Sequence, residues 1–193
     1  MAKLYFKYGA MGSSKTAQAL ITKFNYEERG MRVLLLKPAT DTRDSDGVIS
    51  SRVGLSSKCV TVSECEDLFA LFSSVSPRPD VVIADESQFF TREQVDGLRA
   101  VVDEYDVPVL CFGLRTDFTT KLFSGSARLF EVADSIAEIK TICSCGAKAT
   151  VNARLGASGR VVVHGEKIVI GGNEKYIAMC HKCWQKAQKE IKK

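Results

Sequence analysis

Apolar residues in the first two-thirds of the chain gather into short unbroken runs separated by longer stretches with helical spacing. The runs are Leu4–Tyr8, Val33–Leu36, Val81–Ala84 and Val109–Phe112. None alternates strictly between apolar and polar. That is the signature of strands covered on both faces, as in a parallel sheet. Helical patterns fall between them: Lys15 to Arg29, closed by Gly30; Val62 to Ser73; and Thr91 to Tyr105. Thr91 has a helix-capping side chain, and Gln94 stands three residues on, as a capping box requires. Strand, helix, strand in this order predicts a right-handed α/β core, a parallel sheet flanked by helices.

Two segments break the pattern. Residues 40–58 are rich in Asp, Ser, Arg and Gly and read as a long loop. After about Thr141 the alternation stops. Short β-like pieces, Thr150–Leu155 and Arg160–His164, flank Gly156–Gly159 and read as a hairpin. The division predicted is an α/β unit over residues 1–140 and a small unit over 141–193. The second is too short to bury a core of its own and needs a staple.

Composition narrows the class. The 193 residues are 45% hydrophobic, which suits a folded globular chain rather than a disordered one. Net charge is +4, and much of the basic excess lies in residues 185–193, which read as a solvated terminal helix. With no clear basic and aromatic stripe, nucleic acid is not an expected partner. No apolar run approaches the roughly 20 residues that cross a bilayer, and the N-terminus lacks the apolar stretch of a secretory signal. A cytoplasmic protein without membrane attachment is expected. Seven cysteines, an odd number, argue against a disulfide framework.

The candidate chemistry begins at Gly9-Ala10-Met11-Gly12-Ser13-Ser14-Lys15-Thr16, between the first strand and the first helix. A Gly-rich turn there points backbone N–H groups and a helix N-terminus at phosphate. Lys15 adds a cation for the β- and γ-phosphates, and the Thr16 hydroxyl is a ligand for Mg²⁺. Asp85-Glu86 closes the Val81–Ala84 strand, where the ligand crevice of a parallel sheet lies. Asp85 suits Mg²⁺. Glu86 is then a base, able to take a proton from water or from a substrate hydroxyl. Cys143-Ser144-Cys145 and Cys180-His181-Lys182-Cys183 form two ligand pairs, and four thiolates around Zn²⁺ would supply the staple. On these residues alone the chain is a phosphotransferase, a nucleic-acid-dependent ATPase with a zinc ribbon, or a nucleotide-sensing module.

Taken together the motifs resemble those of the cytosolic thymidine kinases of bacteria and animals, nearly end to end. The similar segments are the phosphate loop with Met11; Lys37-Pro38-Ala39-x-Asp41-x-Arg43 with Ser51-Arg52-Val53-Gly54-Leu55; Asp85-Glu86-Ser87-Gln88-Phe89-Phe90; Phe112-Gly113-Leu114-x-x-Asp117-Phe118; and Ile170-Gly171-Gly172-x-x-Lys175-Tyr176. Ser14 stands where the family usually has Gly, and the Cys143/Cys145 spacing is shorter than its common C-x2-C. The resemblance implies transfer of the γ-phosphate of ATP, with Mg²⁺, to the 5′-hydroxyl of thymidine. It implies a zinc-bearing lasso closing over the nucleoside, and a homotetramer. It implies Glu86 as base and Asp41, Arg43 and Gln88 near the ATP and metal. Met11, Phe89, Leu114 and Phe118 would wall the thymine, with Lys167, Ile168, Val169, Ile170, Gly171 and Tyr176 contacting base and sugar.

Overall fold

A computed structural model describes residues 1–165 and 175–191, the side chain of residue 191 aside. The base and sugar contacts expected of Lys167, Ile168, Val169, Ile170 and Gly171 therefore lie outside the described residues. In chain order the elements are β1 (Leu4–Tyr8), α1 (Lys15–Glu27), β2 (Val33–Pro38), β3 (Val48–Ser50), β4 (Ser56–Lys58), β5 (Val60–Val62), α2 (Leu68–Ser74), β6 (Val81–Ala84), α3 (Arg92–Tyr105), β7 (Val109–Gly113), α4 (Ser124–Val132), β8 (Ser135–Glu138), β9 (Val151–Arg154), β10 (Tyr176–Met179) and α5 (His181–Ile191). A 3-10 turn, Ser87–Phe89, follows β6.

Six strands form one parallel sheet in the order β5-β2-β6-β7-β1-β8. The unbroken apolar runs have the predicted cause. Leu34, Leu36, Val82 and Ala84 face one cluster, with Leu68 and Phe72 of α2, Val95 and Leu98 of α3 and Leu129 of α4. Leu35, Val81 and Ile83, the intervening residues, face the other, with Ala19 and Leu20 of α1. A buried aliphatic side chain contributes about 1.5–3 kcal/mol, so both faces of each central strand hold the sheet.

Helix α3 starts as its sequence predicts. The Thr91 hydroxyl accepts from the Gln94 N–H at 3.2 Å, and the Gln94 side chain accepts from the Thr91 N–H at 3.1 Å. Several elements differ from expectation. The helix expected from Val62 begins at Leu68, because Val62 belongs to β5 and the Asp67 carboxylate caps the Phe69 and Ala70 N–H groups. Residues 40–58 are not a plain loop: β3 and β4 pair antiparallel, closed by a tight turn in which Gly54 has φ +86°. α4 and β8 carry no signal strong enough to have been read. β8 is an edge strand with exposed Ile136, and α4 has no side-chain cap.

The C-terminal pairing also differs. Val151–Arg154 joins Tyr176–Met179 antiparallel, while the expected partner, Arg160–His164, meets just its far end: the Val162 N–H reaches the Arg154 carbonyl at 2.7 Å, the Arg154 guanidinium reaches the His164 carbonyl at 3.2 Å, and Leu155 and Val161 form a bridge. The terminal helix begins at His181 rather than 185. Among the described residues no helix is long and apolar enough to cross a membrane.

Candidate active site

The phosphate-binding turn grows out of β1. The Gly9 N–H reaches the Gly113 carbonyl at 3.2 Å, which ties the turn to the end of β7. Gly9 is required there: a β-carbon would meet the Ile139 carbonyl and the Ser13 hydroxyl at 2.4 Å each. Gly12 and Ser14 both adopt the left-handed conformation, at φ 74° and 61°. Ser14 therefore takes a glycine-like backbone without being glycine, and its side chain makes no capping bond to α1. Thr16 and Lys15 open that helix.

Lys15 is buried, with Nζ on the Ala10 carbonyl at 2.9 Å. Burial pulls its pKa down to about 8, helped by Arg43 and Arg52 and opposed by Glu86 and Asp85. Asp85 is buried behind it. Desolvation and the neighbouring Glu86 push its carboxyl up to about 7, against the Thr16 hydroxyl, a backbone N–H and Lys15. One Asp85 oxygen, Oδ1, has no hydrogen-bond partner. A buried carboxylate oxygen without a donor, beside a threonine hydroxyl, is a hard-ligand set that a divalent cation satisfies.

Glu86 follows in a left-handed conformation, φ 48°. Both carboxylate oxygens are held: Oε1 accepts from Arg43 Nη2 at 2.5 Å and Oε2 from Gln88 Nε2 at 2.6 Å. Arg43 also grips Asp41, with Nε at 2.7 Å and Nη2 at 3.0 Å from its two oxygens. The Gln88 carbonyl oxygen accepts from the Leu114 N–H at 2.9 Å. This arrangement needs Gly113, whose β-carbon would lie 2.8 Å from Gln88 Oε1.

Lys15, Thr16, Arg43 and Glu86 face one cleft of about 630 Å³, lined also by Met11, Leu114 and Tyr176 among others. Gly9, Ala10, Ser13, Asp41, Asp85 and Gln88 stand behind that lining and support it. Phe89 and Phe118 do not line it. Phe89 packs edge-on to Phe123, and Phe118 is buried beneath the Arg154 guanidinium, 3.8 Å from its ring centroid. Arg52, at the tip of the β3–β4 ribbon, also lines the cleft and brings positive charge towards Lys15. It sits inside a motif segment, which is the signal that could have singled it out.

Beside the cleft, whose lining includes Ile142, Ser144 and Ala178, the sulfurs of Cys143, Cys145, Cys180 and Cys183 all lie within 4.8 Å of one another. Cys145 and Cys180 are 3.7 Å apart. Four thiolates at Zn–S distances of about 2.3 Å in a tetrahedron have sulfurs about 3.8 Å apart, so this donor set fits Zn²⁺. Backbone N–H groups of Cys145 and Cys180 bring the Cys143 thiol down to about 6. Contacts with the other thiols push Cys183 up to about 12. Crowded thiols cannot all ionise without a cation among them.

The family profile for thymidine kinase matches residues 2–184. The chain belongs to the thymidine kinase family. It is similar to the thymidine kinase of Legionella pneumophila strain Philadelphia 1, 45% identical over 99% of this chain and 93% of that protein. It is similar to that of Salmonella typhimurium, at 46% over 98% and 94%. It is also similar to that of Enterobacteria phage T4, at 44% over 99% and 100%. Membership extends through the cysteine cluster, since the matched residues include Cys143, Cys145, Cys180 and Cys183.

Proposed function

We propose that this protein is a thymidine kinase, transferring the γ-phosphoryl group of ATP to the 5′-hydroxyl of thymidine to give dTMP. The observation that carries the reading is the cleft in which Lys15 and Thr16 stand beside the orphaned Asp85 oxygen, with Glu86 fixed at its wall. Phosphoryl transfer needs positioning and charge neutralisation more than covalent catalysis. The turn from Gly9 to Thr16 cradles the phosphates. Lys15 neutralises charge on the transferring group, and ATP brings the negative charge that offsets burial of its ammonium. Thr16 and Asp85 would hold Mg²⁺, which would supply charge neutralisation for the phosphates.

Glu86 takes the proton from the 5′-hydroxyl. Arg43 and Gln88 orient its carboxylate, and Asp41 orients Arg43. Met11, Leu114 and Tyr176 wall the nucleoside; Phe89 and Phe118 support that wall from behind, and the segment from Lys167 to Gly171 reads the polar edge of the base. Residues 1–140 act as the ATP-binding unit, and 141–193, stapled by Zn²⁺, close over the nucleoside. Exposed Ile21 and Phe24 on α1 offer apolar surface for assembly into a homotetramer. None of the seven cysteines is in a disulfide, which suits a reducing cytoplasm.

Labelled ATP with a panel of nucleosides tests this reading. Thymidine yields a labelled monophosphate. Deoxyuridine is poorer by roughly 10- to 200-fold at most, because a methyl in an apolar pocket is worth about 1–3 kcal/mol. Deoxycytidine fares worse, since its reversed donor–acceptor edge leaves buried groups unpaired. Phosphate release that depends on nucleic acid, with no nucleotide product, would instead support the zinc-ribbon ATPase. Neither product would leave a nucleotide-sensing module.

A further inference from the structure

Asn152 stands on β9, paired with Ala178 of β10, and is buried. It belongs to no motif of the phosphate site, yet it joins three segments. Its Oδ1 accepts from the Met11 N–H at 2.8 Å, across 141 residues of chain. Its Nδ2 donates to the Thr116 carbonyl at 2.9 Å. The Met11 N–H is thus engaged by a side chain and turned away from phosphate. On the other side, Thr116 follows Leu114, whose own N–H and carbonyl are held by Gln88 and Ser126.

We infer that Asn152 is a positioning residue for the nucleoside: it fixes the phosphate loop at Met11 against the turn after β7, and so sets the wall that Met11 and Leu114 present to the base. This rests on the reading that Met11 and Leu114 wall the nucleoside. The physical argument is one of unpaired groups. An apolar residue at 152 leaves the Met11 N–H and the Thr116 carbonyl without partners in a buried seam. The loop then has several resting positions rather than one, and binding must select among them. The cost falls on the nucleoside rather than on ATP, because the phosphate-facing part of the loop, from Gly12 to Thr16, is anchored separately: the Ser14 carbonyl accepts from the Gln18 N–H of α1 at 3.0 Å, and the Gly12 carbonyl accepts from the Thr141 hydroxyl at 3.4 Å.

Asn152→Val is of comparable size, suits a strand and removes both bonds. The expected result is a KM for thymidine raised about tenfold, the size of one buried hydrogen bond lost. The KM for ATP and kcat stay within about twofold, a split that general loosening of the fold would not produce. Met11→Ala is measured alongside and raises the thymidine KM on its own account. If Asn152→Val leaves the thymidine KM unchanged while Met11→Ala raises it, Asn152 does not position the nucleoside. If neither variant moves it, Met11 does not wall the base and the inference falls with that reading. An equal rise in both substrates' KM for Asn152→Val marks a structural role only and overturns the proposal. Should the valine protein fail to fold in a thermal scan, Asn152→Ser, smaller and still polar, is judged by the same split.

Discussion

Arg43 and Glu86 meet across 43 residues of sequence, with Nη2 and Oε1 2.5 Å apart, and the same guanidinium holds both oxygens of Asp41. A loop arginine is therefore fixed to a strand-end carboxylate before any ligand arrives. The contact opposes free rotation of Glu86 and leaves the carboxylate facing the cleft. Glu86→Gln keeps the shape and loses the base. Turnover should fall by roughly 10²–10⁴-fold with ATP affinity retained, as measured by steady-state kinetics beside nucleotide titration. Arg43→Lys loses the planar fork that spans Asp41 and Glu86 and should also lower kcat. A wild-type kcat in Glu86→Gln would remove Glu86 from the base role.

Asp85 is costly to the empty protein and needed by the loaded one. Its carboxyl is pushed up to about 7 from an ordinary value near 3.8. The folded state therefore holds this proton where the unfolded chain has released it. The sign follows: Asp85's contribution to stability is constant below pH 4, falls as pH rises from about 4 to 7, and is flat above. Asn at this position carries no such penalty. Asp85→Asn should match the wild type in melting temperature at pH 4, exceed it at pH 8, and lose Mg²⁺-dependent turnover. Melting curves at the two pH values, without nucleotide, check this. A lower melting temperature for Asp85→Asn at pH 8 would show that the buried charge stabilises the fold.

Much of this site was legible because it is local. Gly9 to Thr16 and Asp85-Glu86 each combine a strand end with the chemistry that follows it, and the four runs of buried strand residues are continuous in sequence. What was hidden depends on distant partners. Nothing around Asn152 signals that its amide meets Met11 and Thr116, and Val62 reads as a helix residue until Leu36 and Pro38 of the neighbouring β2 are placed beside β5. By sequence Thr150–Leu155 reads as the partner of its nearest neighbour, Arg160–His164. Its strand instead pairs with residues near Cys180, where the cysteine cluster holds the two ends together. β8, at the sheet edge, lacks the second buried face that makes the central strands conspicuous.

Ser14 offers a test that needs no catalysis. Its φ of 61° costs a residue with a β-carbon about 1–2 kcal/mol, and its side chain returns no capping bond. Glycine removes the strain but gives the unfolded chain more freedom, worth about 0.5–1 kcal/mol. The balance favours Ser14→Gly by about 0.5 kcal/mol, or roughly 1–2 °C in melting temperature for a chain of this size. A thermal scan decides it. A drop in melting temperature would mean that the Ser14 hydroxyl supplies a stabilising contact that outweighs the strain.

The cysteine cluster should control nucleoside binding through the ribbon it holds. Cys143 and Cys145 precede β9, while Cys180 and Cys183 follow β10, so a bound Zn²⁺ clips the two strands together at one end of the ribbon that carries Asn152 and Tyr176. The adjoining apolar cluster is small: Cys143, Ala149 and Cys180, with Ala178, Met179 and Cys183 packed against it. Such a core cannot hold the ribbon alone, whereas the sheet keeps its own two-sided core in residues 1–140. Elemental analysis should find about one Zn per chain. Cys180→Ala, which opens the cluster at its buried side, should lose zinc and thymidine binding while far-UV circular dichroism retains most of the α/β signal and ATP still protects the fold against heat. If metal-free protein phosphorylated thymidine at the wild-type rate, the thiols would be packing groups and the ribbon would be held by its contacts with Met11 and Thr116.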